Sequence, residues 1–153
     1  MVKALAGLPD DKRQTMMTDR LTMFAEMADA ERKSAMSQMM AATETLPDVD
    51  KKKLLRTRFE VLAAFAPDRQ MKLMGTHMGL LQEKGQSAMM QEMQLTQAVM
   101  PDLSANAKAV VKQMMESMGG GMGMGGGMQM GGGMSMSGMA REEPKQKPWW
   151  KFW

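Results

Sequence analysis

Cysteine is absent from the 153 residues, so the chain offers no disulfide, no thiolate ligand and no nucleophilic thiol. Tyrosine is absent as well, and the one histidine, His77, stands in the stretch Met74-Gly-Thr-His-Met78. A lone histidine without cysteine lacks the companions that a zinc site or a histidine-based catalytic pair requires. His77 therefore reads as a structural or surface residue, and the body offers no catalytic constellation. Isoleucine is missing, valine is scarce and no alternating run of strand length occurs, which argues against a sheet. No apolar run reaches the roughly 18 residues of a membrane-spanning helix. The first eleven residues hold one lysine and a short apolar run closed by Pro9, unlike a secretory signal. A cytoplasmic location is the expectation.

Charge of one sign is also in short supply. Of the net +3, residues 141–153 carry +2 (four bases, two acids), leaving +1 over residues 1–140. Acids and bases are interspersed through that first part, which argues against a nucleic-acid partner. The run Lys51-Lys52-Lys53-x-x-Arg56-x-Arg58 follows Asp48 and Asp50. It reads as a solvated helix face, with binding of an anionic group as the alternative.

What the chain has in abundance is methionine, 25 residues in all. Residues 1–118 read as a helical domain. Leu8-Pro9-Asp10, Leu46-Pro47-Asp48, Ala66-Pro67-Asp68 and Met100-Pro101-Asp102 recur at intervals, with Ala28-Asp29 as a proline-free version. Proline stops one helix, and aspartate is expected to accept hydrogen bonds from the first N–H groups of the next. The spacing predicts helices near 11–27, 30–43, 49–65, 69–83, 87–99 and 103–118. Apolar residues repeat at helical intervals within them, as in Met17, Leu21 and Phe24, or Leu55, Phe59 and Leu62. The fold class is all-α: about six helices as antiparallel hairpins, in a small bundle or short helical-repeat stack. An internal match at an offset of 38 residues pairs Leu8-Pro9-Asp10 with Leu46-Pro47-Asp48, and Arg20 with Arg58. Adjacent methionines such as Met16-Met17, Met39-Met40, Met89-Met90 and Met114-Met115 point about 100° apart on a helix. Both members of a pair cannot occupy the centre of one apolar stripe, so some methionines are expected at the surface or at an interface.

Residues 119–140 form a disordered linker by composition, built on a Met-x-Met-Gly-Gly-Gly repeat. Triglycine loses more entropy on ordering than a few thioethers return. With the residues up to 148, such a chain spans about 30 Å root-mean-square. The pairs Met122/Met124, Met128/Met130 and Met134/Met136 could hold Cu(I), because a thioether is a soft, neutral ligand. In composition the stretch resembles the Gly-Gly-Met tails of the group I chaperonins, which implies a sticky apolar brush. Its Met-x-Met pairs resemble the methionine motifs of high-affinity copper transporters, which implies copper handling.

Residues 141–153, Arg-Glu-Glu-Pro-Lys-Gln-Lys-Pro-Trp-Trp-Lys-Phe-Trp, hold all three tryptophans within the last five positions. Each large ring buries on the order of 150–250 Å² when it finds a partner. Lys147, Trp149, Trp150, Lys151, Phe152 and Trp153 read as an anchor. Tryptophan beside lysine suits the headgroup level of an anionic membrane, and the same aromatics suit a protein groove or a return onto the methionine surface. The expectation is a non-catalytic adaptor without a cofactor, peripheral at a membrane or in a larger assembly. Its partners are a protein and an anionic membrane surface, with a second copy of the chain as a further candidate. A copper-handling protein and a chaperone-like factor for apolar clients are the alternatives.

Overall fold

The computed structural model describes the backbone of residues 2–119 and the side chains through Glu116. The Gly/Met repeat from residue 120 and the Trp-rich terminus lie outside the described residues. Among these residues the protein is all α, as composition and periodicity predict. The helices are α1 (Val2–Gly7), α2 (Asp10–Glu26), α3 (Asp29–Glu44), α4 (Asp48–Ala63), α5 (Pro67–Lys84), α6 (Gln86–Val99) and α7 (Ala105–Gly119). A 3-10 turn, Met100–Asp102, leads into α7. The six predicted helices lie within about two residues of α2 to α7. Helix α1 is an addition, ended by Pro9 after little more than one turn, with Val2, Leu5 and Ala6 buried.

The helix starts obey a strict rule. Asp10, Asp29, Asp48, Pro67, Gln86 and Ala105 are each nineteen residues apart. The 38-residue match is thus two periods of a single-helix repeat, and all six long helices belong to it. The residue before each start supplies the bend. Pro9 (φ −54°, ψ 152°) and Pro47 (φ −60°, ψ 151°) share their conformation with Ala28 (φ −58°, ψ 152°) and Ala66 (φ −61°, ψ 147°). Proline pre-sets this geometry, and alanine adopts it at the same place. Between α5 and α6 the link is Gly85 alone, at φ 93° and ψ 178°, a region open in practice only to glycine.

The aspartates do not cap in the way the sequence predicts. Asp10, Asp29 and Asp48 stand inside the first turn, and no side-chain cap bond forms at the starts of α2, α3 or α4. Each instead pairs with the base three residues on: Asp10 with Arg13, Asp29 with Arg32, and Asp48 with Lys51 at 3.6 Å. Their charge still complements the positive end of the helix dipole. A side-chain cap occurs at α7, where Ser104 Oγ accepts from Ala107 N–H at 3.2 Å. Glu60 of α4 accepts both the N–H and the hydroxyl proton of Ser104, each at 2.7 Å.

Helix α4 is the centre, packing against α1, α2, α6 and, most extensively, α7. Phe59, completely buried, and Leu54, Leu55, Val61 and Leu62 form its share of the core. The main contacts of α2 and α3 run to the helix two places along, that of α4 to α7, three places along, and α2 and α3 share little with each other. With helices two and three places apart in sequence packed together, the arrangement is a small helical bundle.

Two matched polar braces tie helices of that bundle together. Arg13 and Arg32, 3% and 6% exposed, sit at equivalent repeat positions. Arg13 Nε donates to Thr57 Oγ1 at 3.2 Å, and Arg32 Nε to Thr76 Oγ1 at 2.9 Å, each on the helix two places along. The threonine hydroxyls in turn donate to Lys53 and Lys72 carbonyls at 2.9 Å. Arg32 also reaches the Met27 carbonyl at 3.1 Å. Hydrogen bonds to charged groups contribute about 1.5–3 kcal/mol, so Arg32→Met should lower stability by about 2–3 kcal/mol in urea unfolding followed by helical circular dichroism. Combined with Thr76→Val, the loss should fall short of the sum by at least about 0.5 kcal/mol. Strict additivity would show that the brace contributes nothing.

Candidate functional site

The nineteen-residue repeat has a chemical consequence. Arg20 on α2, Met39 on α3, Arg58 on α4 and His77 on α5 occupy the same place in successive repeats, and all four line one pocket of about 120 Å³. The wall is otherwise mainly apolar, with Leu5, Met17, Leu54, Leu81 and Leu95 among its members. Thr96, the next residue in the series, is fully buried and its hydroxyl has no hydrogen-bond partner.

Glu92 of α6 completes a polar cluster at this pocket. Arg58 Nη2 donates to Glu92 Oε1 at 2.6 Å, and His77 Nε2 lies 3.0 Å from the same oxygen. The guanidinium carbon of Arg58 stands 5.2 Å from the centroid of the Phe59 ring, a cation–π distance. Arg58 Nε is buried without a partner.

Electrostatics assigns the protons. Burial alone would raise the Glu92 carboxyl, but the charge of Arg58 and the His77 hydrogen bond hold it well below the usual carboxylate range. Burial pushes His77 down, the Arg58 charge adds to that, and Glu92 pulls the other way without prevailing. His77 is therefore neutral at pH 7. Ionised Glu92 needs a donor at 3.0 Å, which places the single ring proton on Nε2. The His77–Glu92 contact is then a hydrogen bond from a neutral ring, not an ion pair. The 3.3 Å approach of Arg58 Nη1 to Nε2 brings two donors together and adds no bond. A neutral histidine held by an ionised acid and an arginine can orient and recognise, and it carries no poised proton at pH 7.

The reading of His77 as structural is thus sharpened: it is a buried member of a three-residue cluster. Sequence reasoning missed its partners. Two signals marked them, namely the nineteen-residue spacing of 20, 39, 58 and 77, and the isolation of Glu92 as the one charged residue between Lys84 and Asp102. The basic run divides. Lys52 and Lys53 are exposed as a solvated face, whereas Arg58 turns inward and Lys51 lines the pocket.

The body methionines behave as their adjacency requires. Met17 is buried beside exposed Met16, Met40 beside half-buried Met39, and Met114 beside half-buried Met115. Met16, Met23, Met71, Met90 and Met93 are all more than 40% exposed. The anchor residues Lys147, Trp149, Trp150, Lys151, Phe152 and Trp153 lie outside the described residues. So do the copper candidates Met122, Met124, Met128, Met130, Met134 and Met136. Among the described residues no group of three His, Asp or Glu is placed to hold a metal, and no helix is long and apolar enough to cross a membrane. No family model, curated protein or solved structure matches the chain.

His77 is the chain's one histidine, so it dominates side-chain titration between pH 5.5 and 7. Its folded pKa is depressed, so the unfolded chain binds more protons in that window and stability falls as pH drops through about 6.5. The slope approaches at most about 1.4 kcal/mol per pH unit, the limit for one proton. His77→Gln should flatten urea midpoints between pH 7 and 5.5. An unchanged slope would place His77 in a solvated environment.

Proposed function

We propose that the protein is a non-catalytic adaptor. Its helical body holds a protein partner through a methionine-bearing surface, and its basic, Trp-rich segment brings it reversibly to an anionic membrane or a larger assembly. The observation that carries this reading is the outer face of α6. Met90, Gln91, Met93, Gln94 and Gln97 are exposed there, and the helix holds no charged residue except the half-buried Glu92. Protein interfaces are depleted of charge at their centres and enriched in methionine, and methionine's flexible thioether adapts to varied apolar partners. Helices α2, α4 and α5, by contrast, are rich in charge.

Because all three tryptophans lie within residues 149–153, fluorescence reports on the terminal segment alone. Anionic vesicles should shift the emission to the blue, reversibly with salt, and the protein should float with the vesicles. A single short segment of this kind anchors weakly, so the binding should be lost in about 0.5 M salt, where screening is strong. Absence from the floated fraction at low salt rejects membrane recruitment.

The Met-x-Met register favours a second reading, Cu(I) binding by Met122, Met124, Met128, Met130, Met134 and Met136, since a linker or brush has no need of paired spacing. An anaerobic Cu(I) competition titration should show binding that disappears when these six become leucine. Equal binding by both proteins rules copper out.

A further inference from the structure

The pocket beside the Arg58–His77–Glu92 cluster belongs to neither reading above. Leu54, Leu81, Leu95, Met17, Met39 and Met40 line it with hydrocarbon and thioether. The charged groups of the lining are already matched. Lys51 pairs with Asp48 at 3.6 Å, Glu44 with Lys84, and Arg58 with Glu92 at 2.6 Å. Arg20 is engaged as well. His77 is neutral and donates its one N–H to Glu92. An ion that enters such a wall sheds water and finds no free counter-charge, which is costly. An uncharged apolar guest gains by leaving water. Size narrows the class further, since a cavity of about 150 Å³ holds one benzene ring and this one is about 120 Å³. The three methionines favour an aromatic ring over a saturated one, because thioether sulfur is attracted to ring edges. Exposed Glu44 and Gln91 are part of the lining and give the pocket a mouth on solvent.

We propose that the pocket binds a small molecule built on a single uncharged aromatic ring. The ring lies among Leu54, Leu81 and Leu95, with the sulfurs of Met17, Met39 and Met40 as its neighbours. A saturated ring of the same size fills the space and forfeits the sulfur–aromatic contacts. An aromatic carboxylate or ammonium of similar size brings a charge that the matched wall does not answer. The site stands independently of the adaptor reading, since it needs neither Met90 and Met93 on the outer face of α6 nor the Trp-rich segment.

The methionine methyl groups supply the test. In the full chain labelled at methionine methyl carbons, phenol, uncharged at pH 7, should produce saturable NMR shifts at Met17, Met39 and Met40. The exposed Met16 and Met71 should stay still. Cyclohexanol should bind about threefold more weakly or worse, and sodium benzoate about tenfold more weakly or worse. Leu95→Trp, which places a ring in the pocket, should abolish the phenol shifts. Absence of saturable shifts at the three lining methionines overturns the proposal. Equal affinity for phenol and cyclohexanol, or for phenol and benzoate, overturns it too, as does undiminished phenol binding by Leu95→Trp. The ligand comparisons use the unaltered protein, so they decide the matter even where the variant does not fold.

Discussion

Each long helix starts nineteen residues after the one before it, and the rest of the structure follows from that constraint. Nineteen residues hold about five helical turns plus a bend, so a given repeat position returns to an equivalent place on each successive helix. The register makes Arg13–Thr57 and Arg32–Thr76 copies of one brace. It also gathers Arg20, Met39, Arg58 and His77 around one pocket. Bonds from each buried guanidinium to a threonine hydroxyl on another helix are directional, whereas methionine and leucine contacts are not. In a core with so much adaptable thioether, directional bonds select one packing from many of similar energy.

The two kinds of buried arginine differ in a way that separates scaffold from site. The Arg13 and Arg32 ion pairs reach out to aspartates that are themselves 84% and 94% exposed, so water shares the burden of solvation. Arg58 and Glu92 are both largely withdrawn, at 15% and 16%, and they are joined by a neutral histidine. Burying such a pair is expensive and is weak evidence for stability. Together with the unpaired Arg58 Nε and Thr96 hydroxyl, it marks the one region where local satisfaction is incomplete among the described residues. Departures from local consistency of this kind concentrate at functional places.

Methionine serves two different ends in the helical body. Where one member of an adjacent pair is buried, as at Met17 and Met40, it fills irregular space in the core. Where methionine is exposed on a face free of charge, as at Met90 and Met93, it leaves apolar surface in water. Residue type alone does not separate these roles, because the same side chain suits both.

Much of the helical frame was legible from the residues alone. Proline-aspartate punctuation and apolar spacing place six helices to within about two residues, since a missing N–H and a fixed φ act locally. The adjacency of methionines determined that some must face outward, as a matter of helix geometry. Tertiary structure decided what those local rules do not reach. Asp10 and Asp29 turned from capping toward Arg13 and Arg32, whose Nε groups were drawn to threonines 44 residues away. Glu92 became the partner of both Arg58 and His77 across three helices, at separations of 34 and 15 residues. No propensity encodes such contacts. They exist because packing removes water from those groups and leaves each other's charge as the remaining means of solvation.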